Sequence, residues 1–452
     1  MTGGFGTNGA GGTIYNAAGT NSLGAFTIAN TGSVSLSANI AYLNAAAGTT
    51  LNLTGAITQT SNSTSQNTIS GGGIVSYSGS AFATGKFNVS GGTTFNTSGT
   101  LTTTVGTYTG VNDSVAGTTW NINAGSVINQ NLGTTAPTTL FIGTSGGTGT
   151  VNMNGGTATF AALNIGNKFD GTNGDGNGTL SVNGGTLNIN GAIKLGSAKS
   201  GVGTINLNTS GRLVITASAG QISRATGSSG TGGSGNINFN GGTLQYNATP
   251  ATPAIAANIT TTILEGGGTI NTNGQAITIA GPILHGGTAA IDGGITKNGA
   301  NTLTLSAANS FTGLLSITAG TVTAGANSAL GTGSVTIAAG ATLSLATGVT
   351  AAHADTLSTL TLTSATTSIV NLAGAAGTVQ DTVGNLIIAG IVQAPGTYGA
   401  TGSGAQFTST DFTGTGFLLV TAVPEPSTYA CVFVALVGLG VYARSCWARR
   451  EA

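Results

Sequence analysis

The chain has 452 residues, and only 4% of them are charged, against about 25% in a typical soluble domain. Ten Lys and Arg balance ten Asp and Glu, so the chain lacks the clustered like charge that nucleic acid or cationic partners require. With 79 glycines and only 7 prolines, and without a Gly-X-Y period, collagen is excluded and helix is disfavoured. Apolar and polar residues alternate, which predicts ordered β-structure.

Units of strand, glycine-rich turn and strand recur along residues 1–422, and we interpret them as one β-solenoid body. The glycines that mark the turns are spaced by about 20 to 33 residues, a period typical of solenoids; they are Gly92, Gly125, Gly156, Gly185, Gly211, Gly242, Gly274, Gly299, Gly320 and Gly340. Stacking the coils at about 4.8 Å buries the inward side of each short strand. A β-sandwich array with the same turn chemistry is the alternative fold.

The most polar loop of the body spans residues 168–178 and is a candidate calcium site. Alternating oxygen-bearing side chains and glycines resemble the first half of a calcium-binding loop; the candidate ligands are Asp170, Asn173, Asp175 and Asn177. Asn173 stands where such loops have Asp, and Gly184 where they have a bidentate Glu. A plain loop between coils is the alternative, and no other cofactor is expected.

Catalytic groups are scarce in the body, so we expect no enzyme. Acidic residues about one coil apart could still stack into the carboxylate pair of a glycosidase; these are Glu265 with Asp292, and Asp355, Asp381 and Asp411. The alternative is that each acid caps a turn, and the two histidines, His285 and His353, are expected in turns or on the surface. The alternative function is therefore a carbohydrate-acting parallel β-helix enzyme, a polysaccharide lyase or hydrolase.

Alternating threonines suggest one further function. Thr359, Thr361 and Thr363 fall on one side of a predicted strand, as on some ice-binding solenoids. Outward threonines also suit any uncharged β-surface, and no regular threonine ladder is evident from the sequence.

Residues 295–313 resemble the autotransporter-associated β-strand repeat, and the similarity extends to residue 345. Lys297, Gly299, the Thr-Leu-Thr-Leu run from Thr302, Asn309 and the Thr312-Gly313 pair match the repeat. Asn301 and Ala307 replace glycines of the repeat, and Phe311 replaces its usual Tyr. The resemblance implies a right-handed parallel β-helix on a bacterial surface.

The composition changes abruptly at residue 423. A Pro-Glu-Pro motif (423–428) precedes an apolar segment (429–448) that we expect to be a single transmembrane helix, and a basic end follows (449–452). Arginines at only one end of the segment orient that end toward the cytoplasm and the body outward; they are Arg444, Arg449 and Arg450. A buried helix that caps the solenoid is the alternative.

These tail elements resemble the PEP-CTERM sorting signal, whose motif residues are Val423, Pro424, Glu425, Pro426 and Ser427. The resemblance implies that an exosortase, a membrane protease, processes the precursor near this motif. We therefore expect a membrane-anchored precursor that becomes a structural or adhesive protein of the cell surface or extracellular matrix, with extracellular polysaccharide as a possible partner. Residues 1–6 carry no export signal, so we expect the natural chain to begin upstream.

Overall fold

The computed structural model describes residues 6–8, 11–16, 19–23, 26–28, 41–59, 66–80, 82–84, 86–103, 108–111, 117–130, 138–144, 146–167, 176–197, 200–218, 220–225, 233–250, 253–346 and 357–421. The secondary structure within these ranges consists of β-strands, and no helix is found there. Nearly all of the strand pairs are parallel and join segments one coil apart. The prediction of an all-β chain with parallel strands is confirmed over this part, and the parallel pairing argues against a β-sandwich array.

The strands form three faces, which the chain visits in turn. The first face is a ten-stranded sheet; its strands are Gly6–Asn8, Gly11–Asn16, Ala41–Ala45, Gln66–Ser70, Lys86–Val89, Tyr108–Val111, Thr139–Ile142, Ala162–Ile165, Ile193–Leu195 and Ile222–Ser223. Bridges at Ile255 connect it to a six-stranded sheet; these strands are Ile277–Ile279, Thr302–Leu305, Thr321–Ala324, Thr342–Leu345, Ile369–Leu372 and Phe412–Gly414. The two sheets thus form one continuous side of the stack.

The second and third faces belong to one 28-stranded sheet that bends at the corners of the coils. The second face contains Thr20–Leu23, Thr50–Leu53, Ile74–Tyr77, Thr94–Thr97, Thr119–Ile122, Val202–Asn208, Ser234–Asn240, Thr260–Ile263 and Ile283–His285. The third contains Phe26–Ile28, Ile57–Gln59, Phe82–Thr84, Thr100–Thr103, Val127–Gln130, Arg212–Ile215, Thr243–Tyr246, Gly268–Asn271, Ile295–Asn298, Leu315–Ile317, Val335–Ile337, Leu357–Leu362 and Val379–Ile388.

Two long strands, Thr148–Phe160 and Asn177–Ile189, run through the corner between the second and third faces. The sequence predicted a strand, a turn and a second strand at each of these places. The chain instead bends at an irregularity of the ladder between Met153 and Thr157. The glycines at this corner, Gly156 and Gly185, have φ of 72° and 73°, which bends the strand without ending its pairing.

Eight of the ten predicted turn glycines have positive φ. Gly211 and Gly242 do not, because Ser210 (φ 62°) and Gly241 (φ 99°) take that conformation one residue earlier. Glycine is needed at 211 for another reason, since a Cβ there would lie 1.9 Å from the carbonyl oxygen of Val182 on the preceding coil. The predicted positions of the turns are therefore confirmed, but some of the glycines are required by the close approach of neighbouring coils and not by a positive φ.

The interior is one hydrophobic cluster that follows the stack from Leu43 to Val420. Inward and outward residues alternate along the strands, as in Thr302–Leu305, so each coil contributes a few aliphatic side chains. Trp120 is fully buried among aromatic rings, with its ring centroid 5.3 Å from that of Phe87 and 6.0 Å from that of Phe95. No single coil could bury these groups, so stability depends on stacking.

The described part of the chain ends in a cap with antiparallel pairing. Ile391–Val392 folds back on Val379–Ile388, and Gly396–Gly399 pairs antiparallel with Phe417–Val420. A short strand, Phe407–Thr408, lies beside Gly396–Gly399, and the ring of Tyr398 stacks on Phe407 at 4.9 Å. These strands cover part of the last coil, which would otherwise present an open edge.

Candidate functional site

The repeat-like segment forms two turns of the stack. Its strands are Ile295–Asn298 and Leu315–Ile317 on the third face, and Thr302–Leu305 and Thr321–Ala324 on the first. The second face has no strand between them, and the segment around Asn309 takes its place. The motif residues therefore shape a coil about 20 residues long, shorter than most coils before it, because a strand is replaced by a tight connection.

Lys297 is fully buried in the core of this coil. Its Nζ donates hydrogen bonds to the carbonyl oxygens of Asn298 (3.2 Å), Gly299 (2.6 Å) and Ala319 (2.8 Å). All three ammonium protons thus have acceptors at the corner where two successive coils turn. Burial lowers the pKa of Lys297 from 10.5 to about 8, because a low-polarity surrounding disfavours the charged form.

Asn309 joins three successive coils from a buried position. Its Oδ1 accepts a hydrogen bond from the backbone N–H of Ile283 (2.8 Å), and its Nδ2 donates to the carbonyl of Ala329 (2.5 Å). These two bonds add to the backbone bonds from Asn309 N–H to Ser328 and from Ser310 N–H to Ile283, both at 2.9 Å, where the second face lacks a strand. Phe311, two residues on, is fully buried beneath them, so the motif's Asn and aromatic positions have structural roles.

Asp292 is the other buried polar group of the site. One carboxylate oxygen accepts from the N–H groups of Gly294 and Gly313, both at 2.9 Å, and the other accepts from the N–H of Thr312 at 2.7 Å. The His285 Nδ1 atom lies 3.0 Å from Asp292 Oδ2. Although burial acts to raise the pKa of Asp292, the hydrogen bonds from Thr312, His285, Gly294 and Gly313 lower it overall.

His285, Asp292 and Thr312 meet at one corner but lack the arrangement of a nucleophilic triad. In such a triad the acid binds one ring nitrogen and the nucleophile the other. Here the Thr312 hydroxyl lies 3.0 Å from Nδ1 of His285, the same nitrogen that contacts Asp292. The hydroxyl oxygen of Thr312 also accepts a hydrogen bond from the backbone N–H of Asp292. His285 is half-buried at the corner rather than a simple surface residue.

The predicted acidic pair does not converge on a common point. Glu265 lies on the neighbouring coil, but its carboxylate accepts from the N–H groups of Thr288 (2.6 Å) and Ala289 (3.3 Å), whereas the Asp292 carboxylate binds Gly294 and the Thr312–Gly313 pair. Hydrogen bonds from the backbone of Thr288, of Glu265 itself and of Ala289 lower the pKa of Glu265 to about 2. Each acid therefore organises a loop, as the turn-capping alternative expected.

The remaining acids of the body follow the same rule. Asp381 accepts from the N–H of Thr382 (2.7 Å), and Asp411 accepts from the N–H of Thr366 and from the hydroxyl of Ser409, both at 2.5 Å. Asp355 and His353 lie outside the described residues. Among the residues that are described, no group of three or more His, Cys, Asp or Glu side chains could hold a metal ion.

Several predicted site residues lie outside the described part of the chain. These are Asp170, Asn173 and Asp175 of the calcium candidate, the sorting motif at 423–428, the apolar segment at 429–448 and the basic end with its arginines. Asn177 is described, and it begins the strand Asn177–Ile189, where it is exposed and pairs with Thr148 and Val202. Within the described ranges, none of the elements is a helix that could span a membrane.

The comparisons with known proteins identify this region. Residues 295–324 match the family model of the passenger-associated-transport-repeat. No curated protein and no solved structure matches the chain. The match coincides with the coils held by Lys297, Asn309 and Asp292, and it is typical of surface-exposed passenger proteins with β-helical bodies. The resemblance to this repeat is therefore confirmed for residues 295–324.

Sequence reasoning matched Lys297, Asn309 and Thr312 to the motif but assigned them no role. Two of these residues differ in polarity from their neighbours on the adjacent coils. Lys297 and Asn309 stand at positions where those coils carry apolar or small residues. A buried polar residue requires hydrogen-bond partners, so such positions are candidates for structural contacts.

Alkaline pH should increase the stability of this site until tyrosines ionise. Lys297 has a pKa of about 8 when folded and about 10.5 when unfolded, so between these values the unfolded chain binds more protons and the free energy of unfolding rises with pH. The rise is at most about 3 kcal/mol. Above about pH 10, buried Tyr246, whose pKa is raised by burial, opposes it.

Urea unfolding at a series of pH values tests this expectation. The Lys297→Met variant, which keeps the side-chain volume and removes the amine, should lack the rise between pH 8 and pH 10. Equal pH profiles for the two proteins would contradict it.

Proposed function

We propose that this chain is an exported structural or adhesive protein whose body is a right-handed parallel β-helix at the cell surface or in the extracellular matrix. The observation that carries the proposal is the match of residues 295–324 to a passenger-associated repeat, within a continuous stack of parallel coils. The acids of the described coils hold loops and turns, which supports a structural role over a carbohydrate-acting enzyme.

The route to the surface is the second part of the proposal. An exosortase would recognise the motif that contains Val423, Pro424, Glu425, Pro426 and Ser427, while the apolar segment 429–448 holds the precursor in the membrane. Arg444, Arg449 and Arg450 would keep the end of the tail in the cytoplasm. The support for this route comes from the tail sequence alone.

Replacing Pro424, Glu425 and Pro426 together by Ala tests the route. We expect the variant to accumulate uncut in the inner membrane, because the processing enzyme loses its recognition motif. Cell fractionation and the intact mass of the mature product provide the measurement, and replacing the exposed Thr401, Gln406 and Thr410 of the cap by Ala provides a control outside the motif. Normal processing of the motif variant would contradict the route.

Two ligands complete the proposal. Extracellular polysaccharide is a proposed partner of the surface protein, and calcium is a proposed ligand of Asp170, Asn173, Asp175 and Asn177. For calcium, we expect the melting temperature to rise on adding Ca²⁺ and to fall with EGTA, because a ligand that binds only the folded state stabilises it. An unchanged melting temperature removes calcium from the proposal.

A further inference from the structure

The second face carries two columns of outward, uncharged residues in strict register, and all of these residues except Ile74 are polar. One column consists of Thr20, Thr50, Ile74, Thr94, Thr119, Thr150, Thr179, Thr204, Asn236 and Thr260, each paired with the next through the parallel ladder. The other consists of Ser22, Asn52, Ser76, Asn96, Asn121, Asn152, Ser181, Asn206, Asn238 and Thr262. We call these twenty residues the threonine–asparagine array.

The array is a regular lattice. Neighbouring rungs lie about 4.8 Å apart across the strands, and the two columns lie about 6.6 Å apart along them. Ten rungs therefore extend for about 43 Å. Eight of the ten residues in the first column are Thr, and none of the twenty is charged.

Hydrogen bonds along the second column hold its side chains in place. Asn121 donates through Nδ2 to Asn96 Oδ1, and Asn152 donates to Asn121, both at 2.9 Å. Asn238 donates in the same way to Asn206, also at 2.9 Å. Side-chain ladders of this kind favour a flat sheet, so the array is both periodic and rigid.

The threonine column, in contrast, has hydroxyl groups available to a ligand. Within the described residues, the side chains of Thr94, Thr150, Thr179 and Thr204 make no hydrogen bond to the protein. Each is only partly exposed, with a methyl group beside its hydroxyl. Thr119, between Thr94 and Thr150, donates its hydroxyl to the carbonyl of Gly117 (3.2 Å). The other four threonines thus offer hydroxyl and methyl groups at the spacing of the rungs, a surface that can order water without binding ions.

The third face lacks this regularity. Its outward column of Thr157, Thr186, Thr243 and Thr269 is interrupted by the exposed cation Arg212 between Thr186 and Thr243. The Arg212 guanidinium donates to the side chain of Gln245 on the next coil. A charged side chain of this kind interrupts the uncharged column of threonines.

From these observations we infer that the threonine–asparagine array binds the surface of ice. A flat, uncharged and periodic surface matches a ligand that is itself flat, uncharged and periodic, and the oxygen rows of ice repeat at distances of the same order as the array. A polysaccharide is less well matched, because none of the twenty outward residues is aromatic, and small-ligand sites usually present aromatic rings in a concave pocket. This activity goes beyond the proposed surface role and does not depend on processing of the tail.

Thermal hysteresis and inhibition of ice recrystallisation by the full-length chain, purified in a mild non-ionic detergent, test the inference. We expect the wild-type chain to shape ice crystals and to separate the freezing point from the melting point, relative to a detergent blank. The double variant Thr150→Tyr with Thr179→Tyr should lose this activity, because two bulky rings near the centre of the array lift it off the crystal. The matched control, Thr243→Tyr with Thr269→Tyr on the third face, should keep it.

Circular dichroism and urea midpoints establish that both double variants are folded. Absence of ice shaping by the wild-type chain overturns the inference, and so does an equal effect of the two double variants. Binding to microcrystalline cellulose without any effect on ice also overturns it and assigns the array to a polysaccharide. Export is measured separately by fractionation, so the surface proposal and the ice proposal can fail independently.

Discussion

Replacing Lys297 by Ala should lower the free energy of unfolding by about 3 to 5 kcal/mol. The change removes a buried four-carbon side chain, which leaves a cavity in the coil, and it removes the donor to three carbonyl oxygens. The carbonyl of Asn298 keeps a hydrogen bond from the N–H of Thr272 (3.0 Å). Those of Gly299 and Ala319, two partly buried residues, accept from the ammonium group, and an acceptor left without a partner costs about 1 to 3 kcal/mol where it is shielded from water.

The control for this change lies one residue away on the same strand. Thr296 points outward from Ile295–Asn298, so Thr296→Ala should alter stability by no more than about 0.5 kcal/mol. Urea unfolding followed by circular dichroism measures both variants. If Lys297→Ala had the same midpoint as Thr296→Ala, the ammonium group would have no structural role.

Replacing Asp292 by Ala should have an effect of similar size, about 3 to 5 kcal/mol. The carboxylate accepts three backbone hydrogen bonds, from Gly294, Thr312 and Gly313, and the first and last of these donors are buried. Hydrogen bonds to a charged acceptor are worth more than neutral ones. Without the carboxylate, the loop before Gly294 loses its attachment to the coil that follows.

Asp292→Asn separates charge from shape, because an amide can accept only through its single oxygen. We expect an intermediate loss for this variant, with hydrogen exchange increased at Gly294 and Gly313. Glu265→Gln is the matched control: its carboxylate also binds a loop, but it is exposed, so its effect should be small. Equal midpoints for Asp292→Ala and Glu265→Gln would show that the buried contacts do not support the coil.

The sequence predicted the architecture well because each coil carries its own local signals. The alternation of apolar and polar residues indicates which side of each strand is buried, and Gly or Asn residues indicate the corners between strands. The corner at 151–157 was predicted as a break because local turn chemistry does not reveal whether the strand on the next coil continues the pairing. Asp292 was matched with the wrong partner, Glu265, because spacing by one coil places two residues on adjacent coils without deciding where each side chain points.

The threonine–asparagine array could not be recognised from the sequence for a related reason. Its successive threonines are separated by unequal numbers of residues, 25 from Thr94 to Thr119, 31 from there to Thr150 and 29 from there to Thr179. Loops of different length leave each coil between the faces, so a constant period in space becomes an irregular one along the chain.

By itself, then, the sequence determined that this chain is an all-β stack of coils with almost no charge, since composition, alternation and turn residues act within a few positions of one another. It also contained the repeat at 295–324. Only the tertiary structure decided which residues meet across coils: the carbonyls around Lys297, the amides around Asp292 and the rungs of the array. Strand register determines these contacts between coils, and the register arises from the packing of whole coils rather than from any local pattern.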